Sequence, residues 1–180
     1  MEEKLLLLRA AEENIGQYED YRREFLEAGD SMDGTGPMRR IERGTDWLAH
    51  VRNYESVEAL PEGKVLATQY LLVRESDGKL LGMLQLRHYL NDYLRKYAGH
   101  IGYSVRPSER RRGYARRMLA MALPEAKALG LERVMITCFT ENEASRRTIL
   151  ANGGVYESTV RYEDGSEEDG KLLERYWITL

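Results

Sequence analysis

A single cysteine, Cys138, in a chain of 180 residues leaves no partner for an internal disulfide and excludes a cysteine-rich zinc site, so a reducing compartment is expected. Long apolar runs are missing too. The longest aliphatic stretch, Leu5 to Leu8, falls far short of the roughly 20 residues of a membrane span. The charged opening Met1-Glu2-Glu3-Lys4 is unlike a signal peptide, so no membrane association is expected and the cytoplasm is the expected location. There is no general excess of positive charge: the net charge is -3, so any anion site must be local. Neither GxxxxGK followed by Ser or Thr nor GxGxxG occurs, which sets aside nucleotide P-loops and dinucleotide folds. No repeat, low-complexity tract or linker is visible.

What is present is the composition of one globular domain, 42% hydrophobic and 32% charged, over residues 1–180. An N-terminal part, 1–64, opens with an amphipathic helix over 10–29. It carries Ile15, Tyr18, Tyr21, Phe25 and Leu26 at steps of three and four before Gly29. The stretch 29–40 crowds Gly29, Gly34, Gly36 and Pro37 and reads either as a plain connector or as a substrate-side loop. Thr45 or Asp46 is the expected cap of a second helix reaching Tyr54, with Trp47, Leu48 and Val51 on one side. From Val65 two apolar runs flank Ser76-Asp77-Gly78-Lys79, the signal of an antiparallel hairpin. The polar, tyrosine-containing "NDYLRKYAG" leads to a third strand, "HIGYSVRP", ending at Pro107.

A helix from Gly113 to Leu129, stopped by Gly130, then precedes "ERVMITCF", whose unbroken apolar character suits a strand covered on both faces. Thr140 and Glu143 have capping-box spacing for a helix running to Asn152-Gly153. The tail, 154–180, reads as a hairpin of Val155 to Tyr162 and Leu172 to Leu180. The fold class is therefore α+β, with a mixed, mostly antiparallel sheet of about six to seven strands and about four helices.

Between the third strand and its helix stands Arg110-Arg111-Arg112-Gly113-Tyr114-Ala115. A helix start has backbone N–H groups without partners and roughly half a positive charge. Gly113 permits a backbone conformation closed to other residues, Ala115 keeps the next contact small, and arginines add forked hydrogen bonds to phosphate oxygens. A strand, such a turn and a helix suit a pyrophosphate.

Arg110-x-x-Gly113-x-Ala115 after a strand resembles the acyl-CoA pyrophosphate loop of the GNAT superfamily of N-acyltransferases. The order of elements from about residue 65 to 180 is similar to that superfamily, and "RHYLNDYL...GHIGYSVRPSERRRGYA" resembles an uncharacterised bacterial subgroup of it. The resemblance implies that the pantetheine arm of acetyl-CoA lies between strands 101–106 and 133–139, within a core of 65–153. Backbone groups of Tyr103 and Val105 would bond that arm, with the Val105 N–H polarising the thioester. N–H groups of Arg110, Arg111, Arg112, Gly113, Tyr114 and Ala115 would hold the pyrophosphate, and Asn142 and Ser145 would approach from the other side. No metal is expected. The implied activity is transfer of an acetyl group to a primary amine by direct attack in a ternary complex. The alternative is a non-catalytic acyl-CoA-binding protein of the same fold.

Such a transfer needs a neutral amine, a stabilised oxyanion and a proton for the thiolate. His100 is the favoured base, with His88, Asp92, Glu109 and a water chain open beside it. Many superfamily members carry an acidic tyrosine seven residues after the asparagine that matches Asn142. Here that position is Ile149, which leaves Tyr103, Tyr156 or Cys138 as the acid, or a thiolate leaving with backbone help alone. Cys138 reads better as a small buried strand residue than as a nucleophile. Arg111, Arg112, Arg116 and Arg117 would also make a basic patch, but the net negative charge and the absence of any nucleic-acid module argue against nucleic acid. Acceptors in view are a small amine, an amino acid, an aminoglycoside-like compound, or a protein N-terminus or lysine. Acidic stretches at 54–64 and 163–170 would attract a cation, although charge runs are usually solvated loops. Superfamily members commonly form homodimers, which makes a homodimer an expectation from resemblance only.

Overall fold

The structure, a computed structural model, describes residues 3–180. Met1 and Glu2, part of the charged opening, lie outside the described residues. Eleven elements follow in order: β1 (Leu5–Arg9), α1 (Ile15–Ala28), α2 (Gly44–Arg52), β2 (Ala67–Arg74), β3 (Leu80–Arg87), β4 (Ile101–Val105), α3 (Tyr114–Ala128), β5 (Arg133–Phe139), α4 (Glu143–Ala151), β6 (Val155–Arg161) and β7 (Leu172–Thr179). The strands form two sheets, in the orders β1-β2-β3-β4 and β5-β7-β6. The α+β class and the seven strands are as expected; every paired ladder is antiparallel, and the strands divide between two sheets where one mixed sheet was expected.

Burial on both faces explains why β2 and β3 read as nearly unbroken apolar runs. On one side of the first sheet Leu71, Val73, Leu80 and Met83 meet Tyr18, Tyr21 and Phe25 of α1 and Trp47, Leu48 and Val51 of α2. On the other, Tyr70, Leu72, Leu84 and Leu86 pack with Met118, Leu119, Ala122 and Ala126 of α3 and reach Val134, Ile136 and Ile178 of the second sheet. Helix α1 ends at Gly29, whose φ of 68° completes a left-handed cap, its N–H donating to Leu26 O at 3.2 Å.

Two expected caps are corrected. Helix α2 has Arg43 at its N-cap, and the Gly44 N–H donates to Glu19 Oε1 of α1 at 3.0 Å, so the helix start is satisfied by its neighbour and not by Thr45 or Asp46. Helix α4 is capped by Asn142, whose Oδ1 accepts the Ser145 N–H at 3.1 Å. Thr140 is held elsewhere, since its N–H donates to Leu172 O of β7. None of the described helices is long and apolar enough to cross a membrane.

Beside β4 a backbone clasp ties the chain of the first sheet to β5. The His100 N–H donates to Met135 O at 2.7 Å, and the Met135 N–H donates to His100 Nδ1 at 2.9 Å. Gly99 makes this approach possible: at φ 65° its backbone is left-handed, and a Cβ there would lie 2.4 Å from Met135 O. Beyond the clasp β4 and β5 diverge and open a cleft.

Candidate active site

The cleft between β4 and β5 has a volume of about 830 Å³ and runs from the Arg-Gly turn to the 30–34 loop and a group of tyrosines. One wall is the free edge of β4. The Arg87 N–H donates to His100 O and the Arg106 N–H to Leu81 O, so even-numbered β4 residues face β3. By the alternation of an antiparallel ladder, the N–H groups of Tyr103 and Val105 point outward. The Val105 carbonyl is already used, accepting from Arg110 Nε at 3.1 Å.

At the turn Arg111 has φ 62° and Gly113 φ 79°, two left-handed residues that curl the chain into a concave row of N–H groups ahead of α3. No side chain caps the helix. The Arg117 N–H bonds to Gly113 O, and among the described residues the N–H groups of Arg111, Arg112 and Gly113 find no backbone acceptor. A Cβ on Gly113 would meet nothing within 4 Å, so glycine is required there for its backbone and not for space.

The arginines divide by role, which corrects the picture of a phosphate fork from all three. Arg110 pairs with Asp30, with its Cζ 5.5 Å from the centre of the Phe25 ring, and so locks the turn onto α1. Arg112 lies 3.2 Å from Glu109, a buried carboxylate (5% exposed) that also binds Arg74 at 2.7 Å and Lys79 at 2.6 Å. These cations hold the Glu109 carboxyl below its usual range against the opposing effect of burial, which makes it a structural anion and not a base. Arg111 and Arg116 line the cleft with no ion-pair partner among the described residues. The Tyr114 side chain is buried, its hydroxyl accepting from Arg74 Nη2 at 3.2 Å, so only its backbone faces the turn.

On the opposite wall, Asn142 and Ser145 stand at the start of α4. The Tyr103 hydroxyl crosses the cleft to Ser145 Oγ at 2.9 Å. Burial pushes the Tyr103 pKa up to about 12, although the Ser145 bond opposes the shift. Burial likewise raises the Cys138 thiol to about 11, far from a nucleophile's range. Ile149 is fully buried in the core beneath α4.

His100 is not among the residues lining this cleft. It is 5% exposed, its Nδ1 lone pair is committed to the clasp, and the far side of the residue borders a separate depression with Trp177 and Arg95. Burial first, and Arg87 and Arg95 after it, lower its pKa to about 4. The expected base is thus corrected to a joint between the sheets. His88 Nε2 meets Thr68 Oγ1 at 2.9 Å, and Tyr156 is exposed on β6; neither borders the cleft.

The sequence offered 29–40 as a substrate-side loop but gave no sign of what it meets at the far end of the cleft, where Asp33 and Gly34 converge with Arg87, Tyr93, Tyr97 and Tyr162. The Tyr93 and Tyr162 hydroxyls lie 2.9 Å apart, and the Tyr97 and Tyr162 rings meet edge-on at 4.9 Å. Gly34 presses on β4: at φ 74°, a Cβ there would sit 2.2 Å from Gly102 O. Gln69 Nε2 donates to Gly34 O at 2.8 Å and Trp47 Nε1 to Thr35 O at 2.8 Å, which makes the glycine-rich segment a fixed wall of the cleft and not a plain connector.

Comparison with known proteins agrees with this fold. A Bacillus subtilis protein described as the uncharacterized N-acetyltransferase YoaA is 36% identical over 73 residues, a match spanning 38% of this chain and 41% of that one. A ribosomal-protein-S5-alanine acetyltransferase from Vibrio fischeri superposes with a TM-score of 0.75 at 16% identity, over 99% of this chain and 94% of that one. Mycobacterium smegmatis RimJ, solved in complex with CoA-disulfide, gives 0.74 at 19% identity, over 97% and 81%. The family model described as the acetyltransferase (GNAT) family matches residues 38–153, from the glycine-rich loop through α4, and the chain therefore belongs to the GNAT family of acetyltransferases.

Proposed function

We propose that the protein transfers an acetyl group from acetyl-CoA to a primary amine by direct attack in a ternary complex. The observation that carries this reading is the row of unused N–H groups at the Arg111–Gly113 turn, set at one end of a cleft whose wall is the free edge of β4. Phosphates fit the first and an extended pantetheine arm fits the second.

Arg111 and Arg116 add charge at the turn, and the Asn142 side-chain N–H₂ is left to approach from α4. The outward N–H groups of Tyr103 and Val105 would orient the arm and take up negative charge on the thioester oxygen. The Tyr103 hydroxyl, protonated at neutral pH, would hydrogen-bond the leaving thiolate and deliver a proton that solvent restores, since its pKa of about 12 lies above the roughly 8.5 of the thiol formed. Among the cleft carboxylates Asp30 and Glu109 are paired, which leaves Asp33 to attract the ammonium and pass its proton to water. An acid at Tyr103 would stand in for the one Ile149 cannot be, which supports the catalytic reading over mere binding. A primary-amine acceptor, small or on a protein, follows from this chemistry.

Thiol release from acetyl-CoA should therefore depend on an added amine when the protein is offered a panel of amino acids, polyamines and peptides. Saturable cofactor binding without turnover on any amine would return the protein to a binding role.

A further inference from the structure

Arg87 closes β3 and stands at the far end of the cleft. Its Nη1 donates to Ala98 O at 3.2 Å and Gly99 O at 3.1 Å, which fixes the plane of the guanidinium. Nε and Nη2 make no hydrogen bond among the described residues, and no carboxylate there lies within ion-pair distance. Loss of hydration lowers the Arg87 pKa to about 10, so the side chain keeps its charge at neutral pH. The side chain is half-buried, so a cation here keeps only part of its hydration and gains from a partner that arrives. Glu109, by contrast, is surrounded by three cations. The protein neutralises the buried Glu109 and leaves the half-buried Arg87 open.

Asp33 lines the same end of the cleft, close enough to favour the charged form of Arg87, yet the two do not pair. Two opposite charges held apart on one wall are complementary to a ligand that carries an ammonium and a carboxylate a few bonds apart. The rings of Tyr93, Tyr97 and Tyr162 bound the space between β4, β5 and the 162–164 segment and would cover the apolar part of such a ligand.

Resting on the acetyltransferase reading above, we propose that the acceptor bears a carboxylate near its amine, and that Arg87 binds this carboxylate by a forked pair from Nε and Nη2 while Asp33 receives the ammonium. The class is an α-amino acid, or a peptide whose N-terminal residues include an acidic side chain. Guanidinium suits the task better than ammonium because its planar donors match both carboxylate oxygens.

The test measures binding of N-acetyl amino acids, and of N-acetyl dipeptides carrying Asp or Glu, against the matching carboxamides on CoA-saturated protein by calorimetry. Turnover is not required. The wild type should bind at least one free acid at least about tenfold more tightly than its amide, as loss of a charge-assisted pair implies. Arg87→Gln should erase that preference, and Arg87→Lys should restore only part of it. In both variants acetyl-CoA affinity should stay within about threefold of wild type, which separates the two claims: loss of cofactor binding in the wild type would sink the acetyltransferase reading itself. Equal binding of acids and amides by the wild type would overturn the carboxylate proposal and leave the acetyltransferase reading intact. So would tighter binding of succinyl-CoA than acetyl-CoA that disappears in Arg87→Gln, since the guanidinium would then serve the acyl chain. The acid-against-amide comparison in the wild type stands even if a variant folds poorly.

Discussion

Gly34 and Gly113 both have left-handed backbones and differ in what surrounds them, so alanine at each separates conformational strain from steric contact. At Gly113 a Cβ would meet open space, and Gly113→Ala should cost only the left-handed penalty of roughly 1–2 kcal/mol. At Gly34 the same penalty applies, but the Cβ would fall 2.2 Å from Gly102 O, 2.5 Å from Gly102 C and 2.7 Å from Tyr103 Cα. None of those atoms is a flexible side-chain end. The loop must lift, straining its bonds to Gln69 and Trp47, and overpacking of this kind adds about 1–3 kcal/mol. Gly34→Ala should therefore be destabilised by roughly 2–5 kcal/mol, read from urea unfolding followed by tryptophan fluorescence. It should also raise the acceptor KM, because the lifted loop carries Asp33 with it, while acetyl-CoA affinity at the other end of the cleft holds. Equal stability of the two variants, within about 0.5 kcal/mol, would refute the close contact between loop and strand.

Three further outcomes are expected. His100→Gln should keep most of the thiol-release rate. It should flatten the acid limb of stability, because a histidine held neutral with a folded pKa of about 4 contributes stability above its unfolded value of 6.5 that is lost as pH falls toward 4, with a slope of up to about 1.4 kcal/mol per pH unit; an unchanged stability profile, or loss of activity in a folded variant, would count against the clasp. Tyr103→Phe should lower kcat by about a hundredfold with little change in acetyl-CoA affinity, whereas a kcat within threefold of wild type would remove Tyr103 as the acid. Glu109→Gln leaves Arg74, Lys79 and Arg112 facing a neutral group and should destabilise the fold by about 3 kcal/mol, an effect that fades as pH falls through the carboxyl's depressed pKa; a loss below 1 kcal/mol would show that the cluster is dispensable.

Features set by neighbours in sequence were legible. The β2–β3 hairpin follows from two apolar runs around Asp77-Gly78, and the left-handed turn ahead of α3 from Gly113 between a strand and a helix. Features set by distant partners were not. Leu5 to Leu8 says little alone, yet it forms β1 because Leu7 finds Leu72 opposite. "NDYLRKYAG" reads as polar, but a wide π-type turn over Leu94–Ala98 buries Leu94 and Tyr97. Arg110 looks like a phosphate ligand until Asp30, eighty residues earlier, is folded against it. His100 has the intrinsic pKa of a base, and only the approach of Met135 reveals it as a joint. Arg87 and Asp33 carry no motif at all; the signal available was a lone arginine closing an apolar strand and an aspartate inside a glycine-rich loop, and neither is specific without the fold.

The central claim is that the turn at Gly113 receives the pyrophosphate of acetyl-CoA. Calorimetric titration of acetyl-CoA into the wild type, Gly113→Asn and Gly113→Asp tests it most directly, because Asn and Asp both tolerate the left-handed backbone and differ chiefly in charge. Saturable binding by the wild type, modestly weakened in the Asn variant and lost in the Asp variant, is the predicted result. An absence of binding in the wild type, or equal affinities for the Asn and Asp variants, would contradict it.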